Sequence, residues 1–120
     1  MTAATTIAGH RPRTLVLGMG VTGAGCARYL AAAGEAACFA DSRPEPPALA
    51  AIRAACPGAE AWTGTLPESL PAGVTRIVLS PGVPLDLPVL RAAAAAGVPV
   101  LSDIDLFAAA ARAPVLGITG

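Results

Sequence analysis

Between Thr14 and Gly34 the chain reads TLVLGMGVTGAGCARYLAAAG, and no other stretch limits the fold so tightly. Thr14 to Met19 is a short apolar run with β-branched content, closed by glycines, which predicts a strand buried on both faces. From Thr22 to Ala33, Cys26, Tyr29, Leu30 and Ala33 recur at helical spacing, and Gly34 sits in the usual C-terminal stop position. A buried strand that turns through glycines straight into a helix is the opening of a βαβ unit, whose next strand must lie parallel to the first.

The remaining pattern continues that alternation. Ala36–Ala40 predicts a second strand, ended by Asp41-Ser42-Arg43-Pro44, since proline keeps its predecessor out of the helical region. Pro47–Cys56 predicts a helix stopped by Pro57-Gly58, and Ala59–Thr63 a weak third strand holding Trp62. Arg76–Leu79 predicts a fourth strand, Pro88–Ala96 an alanine-rich helix stopped by Gly97, and Val98–Leu101 a fifth strand. Ser102-Asp103-Ile104-Asp105 has capping-box spacing before LFAAAAR, which makes Asp103 and Asp105 helix-start residues, and Pro114–Ile118 begins one more apolar strand. The fold expected is α/β, a Rossmann-like three-layer domain with a mostly parallel sheet of about five strands. Its bounds are residues 14–113, after a flexible leader over 1–13.

Composition removes several functions. The chain of 120 residues is the length of one domain and carries a formal net charge of zero with its arginines scattered singly, so no basic stripe exists for nucleic acid. It contains no lysine, asparagine or glutamine, which removes Schiff-base chemistry and amide oxyanion donors. The single histidine, His10, lies in the leader, away from any partner a catalytic triad needs. Cys26, Cys38 and Cys56 lack metal-ligand spacing and read as reduced, buried thiols of a cytosolic protein. No segment reads as a signal peptide or membrane span, so the chain is expected to be cytoplasmic, without a membrane partner.

In a parallel sheet ligands bind beyond the carboxyl ends of the strands, and three turns fall there. Gly18-Met19-Gly20-Val21-Thr22-Gly23 is a G-x-G-x-x-G between strand and helix, where free N–H groups at a helix start favour a diphosphate. Asp41-Ser42-Arg43 ends the second strand and admits three readings: an acid for the ribose hydroxyls of NAD, a donor–acceptor pair for a uracil and its ribose, or a surface ion pair. Ser80-Pro81-Gly82 offers a hydroxyl and an N–H opposite the first turn, although alone it reads more simply as a strand-ending turn.

The segments GMGVTGAG, ADSR, VLSPGVPLDLPVLRAAAAAGVPVLSDIDLF and APVLGITG, taken together in this order, resemble the N-terminal domain of the MurD-type Mur ligases. One departure is Gly25, where relatives commonly carry a serine after the glycine turn. The resemblance implies an ATP-dependent acid–D-amino-acid ligase of peptidoglycan biosynthesis that joins D-glutamate to UDP-N-acetylmuramoyl-L-alanine, monomeric, through an acyl phosphate attacked by the D-glutamate amine. It implies that Gly20, Val21, Thr22 and Gly23 serve the diphosphate, that Asp41, Ser42 and Arg43 hold the uracil and ribose, and that Ser80, Pro81 and Gly82 line the same site. Residues 114–120 would begin the central ATP-binding domain, with Thr119 and Gly120 opening its phosphate loop before the lysine. D-glutamate, ATP and Mg2+ would thus act through further domains. The chain alone is expected to hold no catalytic residue, metal or cofactor and to be inactive, because phosphoryl transfer depends on that loop's positioning. An NAD-binding oxidoreductase domain and a non-catalytic interaction module are the competing readings.

Overall fold

The computed structural model describes residues 13–112. Its elements run β1 (Arg13–Leu17), α1 (Val21–Ala32), β2 (Ala36–Asp41), α2 (Leu49–Ala55), β3 (Ala61–Thr63), β4 (Val74–Leu79), α3 (Pro88–Ala96), β5 (Val100–Ser102) and α4 (Asp103–Arg112). The five strands form one sheet in the order β3-β2-β1-β4-β5, and every pairing is parallel. The chain leaves β1 toward one edge, through β2 and β3, and then returns to the other side of β1 as β4 and β5. That reversal puts the switch point of the sheet between β1 and β4, where the strand ends leave a crevice. The expected α/β, Rossmann-like architecture is therefore present, and the sixth apolar segment, 114–118, lies outside the described residues.

Strand alternation sends side chains into two cores. Val16, Phe39 and Val78 pack on one face with Cys26 and Leu30 of α1, Ile52 of α2 and Leu106 of α4. Leu15, Leu17, Cys38 and Ile77 pack on the other with Val89, Leu90 and Ala93 of α3, joined by Trp62, Leu66 and Leu70. Burial on both faces explains the apolar runs Leu15–Leu17 in β1 and Ile77–Leu79 in β4. Cys26 and Cys38 are buried, as expected, whereas Cys56 is only half-buried because it terminates α2 and bonds to the Ala27 carbonyl through its Sγ at 3.4 Å.

Where element ends differ from the sequence reading, hydrogen bonding decides. β1 stops at Leu17, not Met19, because Gly18 turns away at φ +105° and gives its N–H to the Ala40 carbonyl at 2.8 Å. β4 starts two residues early, at Val74, where a register shift lets Val74 pair with Arg13. β5 starts late, at Val100: the Val98 N–H is taken by the Ala93 carbonyl as α3 closes over Gly97, and Pro99 has no N–H to give. The α2 helix is shorter than expected because it starts after the prolines at 46 and 47, with Ala48 as its N-cap. At α4 the capping box is complete: the Asp105 N–H reaches Ser102 Oγ and the Ser102 N–H reaches Asp105 Oδ2, both at 3.1 Å.

Candidate functional site

The first turn is shaped by two glycines that do different work. Gly18 lies in the left-handed region, and a Cβ there would meet Ser80 Cβ at 2.7 Å and Ser80 Oγ at 2.8 Å. Gly23, in the first turn of α1, would put a Cβ 2.4 Å from the Gly18 carbonyl oxygen, so the helix can start this close to the strand only without a side chain there. Gly20 is different. Its φ of −107° suits any residue, and a Cβ there would meet nothing nearer than Arg43 Nη2 at 4.0 Å. Among the described residues, nothing demands a glycine at position 20.

The α1 helix opens without a side-chain cap and without an acidic residue in its first turn. Its first backbone bond is Ala24 N–H to Gly20 O at 3.0 Å, so the N–H groups of Val21, Thr22 and Gly23 have no acceptor within the helix. They leave a concentrated positive partial charge facing the crevice.

The second turn is tied to the first through a buried carboxylate. Asp41, only 4% exposed, accepts the Met19 N–H on Oδ2 at 2.7 Å and the Arg43 N–H on Oδ1 at 2.8 Å. The Arg43 guanidinium closes on the same carboxylate bidentately, Nε to Oδ1 at 2.9 Å and Nη2 to Oδ2 at 2.7 Å. Hydrogen bonding from Arg43, reinforced by the Met19 N–H, holds the Asp41 carboxyl far below the ordinary carboxylate range against the opposing effect of burial. The pairing in turn favours the charged form of Arg43. The rest of the guanidinium is open to solvent, with the side chain 54% exposed. The Gly64 N–H also bonds the Asp41 and Arg43 carbonyls, each at 3.0 Å, and so fixes the β3–β4 connection against this turn.

The third turn closes the group from the far side. The Ser80 N–H donates to the Leu17 carbonyl at 3.0 Å and Ser80 Oγ donates to the Gly18 carbonyl at 3.3 Å, while Gly82 turns the chain at φ +92°. The three turns enclose a cleft of about 480 Å³. Gly20, Val21, Thr22, Asp41, Ser42, Arg43, Ser80, Pro81 and Gly82 all line it. Gly23 does not: it is buried behind the turn, where its contact with Gly18 sets the helix position.

Gly18, the first glycine of the G-x-G-x-x-G turn, also lines the cleft, as do Leu66, Val83 and Pro84, to which no site motif in the sequence points. Leu66 arrives from the β3–β4 connection, and the only sign of it in the sequence is an apolar residue in a stretch otherwise rich in Gly, Pro, Thr and Ser. Thr119 and Gly120 lie outside the described residues. Among the described residues, no group of three His, Cys, Asp or Glu side chains is arranged to hold a metal ion, and no helix is long and apolar enough to cross a membrane.

What the cleft offers is consistent in kind: donor N–H groups at a helix start, a half-free guanidinium, a hydroxyl, and an apolar wall. Donors of this kind suit an anionic ligand.

Known proteins share this plan. The chain is 44% identical over 108 residues to the UDP-N-acetylmuramoylalanine–D-glutamate ligase of Marinobacter nauticus, covering 90% of this chain and 24% of the relative. It is 45% identical over 107 residues to the enzyme of the same name from Nitrosococcus oceani, covering 89% and 24%. The chain thus spans about a quarter of the length of the curated relatives it matches. Among solved structures, the UDP-N-acetylmuramate-alanine ligase MurC of Thermotoga maritima superposes with a TM-score of 0.68 at 18% identity, over 86% of this chain and 23% of that one, a likeness of fold. The family model for the N-terminal domain of MurD-like Mur ligases matches residues 12–102, and the chain belongs to that family.

Proposed function

We propose that this chain is the substrate-holding domain of a MurD-type ligase and that its cleft takes the uridine diphosphate end of UDP-N-acetylmuramoyl-L-alanine. The observation that carries the proposal is the convergence of three separate turns on one cleft at the switch point of the sheet, with free helix-start N–H groups on one side and Arg43 on the other. The diphosphate lies over the N–H groups at Gly20, Val21 and Thr22, where the missing first-turn acid leaves the positive end of α1 unneutralised. The uracil and ribose lie toward Ser42 and Arg43, and Ser80-Pro81-Gly82 borders the sugar. Gly20 then makes sense as the place where a ligand, not the protein, needs the room.

The nicotinamide reading asks for an acidic side chain at the end of β2 with acceptor capacity left for ribose hydroxyls. Both oxygens of Asp41 already take two donors each, which favours uridine over NAD. In the whole protein, we propose, ATP and Mg2+ are held by residues beyond this chain, the L-alanine carboxylate is phosphorylated, and the D-glutamate amine displaces the phosphate in the cytoplasm. We propose that the chain by itself, about a quarter of its relatives' length, does not carry out the reaction.

Titration calorimetry of the 120-residue chain with UDP-N-acetylmuramoyl-L-alanine, UDP and NADH tests the proposal. Binding of both uridine ligands with no heat from NADH is expected. Binding of NADH alone overturns it.

A further inference from the structure

We draw no further inference here: the strongest candidate, the exposed apolar surface that Val21 of α1, Leu85 of the β4–α3 connection and Ile104 and Phe107 of α4 present around the carboxyl ends of the strands, carries nothing because nothing among the described residues shows what covers it.

Discussion

Replacing Gly18 by alanine should damage this domain by two separable routes. The first is backbone: φ is +105°, outside the region that L side chains adopt, and holding a residue in such a conformation costs about 1–3 kcal/mol. The second is steric: the new Cβ lands 2.7 Å from Ser80 Cβ and 2.8 Å from Ser80 Oγ, and overpacking of that kind costs about 1–3 kcal/mol more. A loss of at least about 2 kcal/mol is a large share of the ~5–15 kcal/mol that holds a domain together. At about 4–8 °C per kcal/mol near this size, the melting temperature should fall by roughly 8 °C or more. Trp62 is the only tryptophan and packs into the core on the α3 face, so its fluorescence follows urea unfolding directly. Ser80→Gly removes both clashing atoms, and in the double variant it should restore the steric share while leaving the backbone share unrepaired. A Gly18→Ala loss below about 1 kcal/mol, or a double variant no better than the sum of its parts, would refute the contact between the first and third turns.

Gly20→Ala should leave the urea midpoint nearly unchanged, within about 0.5 kcal/mol, yet lower UDP affinity at least tenfold in calorimetry, because the space beside it is open in the protein and, on the proposed reading, is filled by the ligand. Gly23→Ala should behave oppositely to Gly20→Ala in unfolding experiments, losing about 2–4 kcal/mol, since the Gly18 carbonyl it strikes is backbone and cannot swing away. Ser102→Ala removes the acceptor of the Asp105 N–H and should cost about 1 kcal/mol, read as a fall of several degrees in melting temperature. Asp41 has its native pKa depressed, so its contribution to stability is complete above the ordinary carboxylate value near 4 and is lost as pH falls from there through the native value. Arg43→Ala removes the main cause of that depression, and the acid-unfolding midpoint measured by circular dichroism should move to higher pH. Burial raises the thiols of Cys26 and Cys38 to about 11, so neither should react with a disulfide reagent at pH 8 until urea unfolds the chain.

The parts of the fold that could be read in advance are those where a local pattern and a tertiary requirement coincide. The runs Leu15–Leu17 of β1 and Ile77–Leu79 of β4 are apolar throughout because the sheet is covered on both faces, and α3 matches its expected bounds, Pro88–Ala96, because proline opens it and Gly97 closes it. Boundaries slipped where long-range hydrogen bonds intervene, as at Met19, whose N–H is claimed by Asp41 from the next strand. The three turns could be identified as candidates from their place at strand ends, but their union could not. Leu66 comes to the cleft only because the Gly64 N–H is held by the Asp41 and Arg43 carbonyls, a contact with no signature at the level of spacing. Likewise spacing gives no sign that one carboxylate, Asp41, gathers four donors from two turns.

The same hydrogen bonds fix the three turns of the cleft relative to one another. A loop site that forms only on binding loses affinity to the ordering of its segments, about 0.5–1.5 kcal/mol for each immobilised long side chain. Here the expensive side chain, Arg43, is already fixed by two bonds to a carboxylate that is itself fixed by two backbone N–H groups. Ser80 holds the third turn against Gly18 by a different pair of bonds, so the first turn is braced from both sides. Loosening one brace leaves the other intact. Asp41→Asn should therefore reduce UDP affinity chiefly through faster dissociation, with association nearly unchanged, because Ser80 still braces the first turn and, on the proposed reading, keeps in place the helix-start N–H groups that would draw a diphosphate in. Stopped-flow rates for UDP check this: a variant whose association rate falls in step with its affinity would mean that the Asp41–Arg43 pair shapes the entrance of the cleft and not the grip within it.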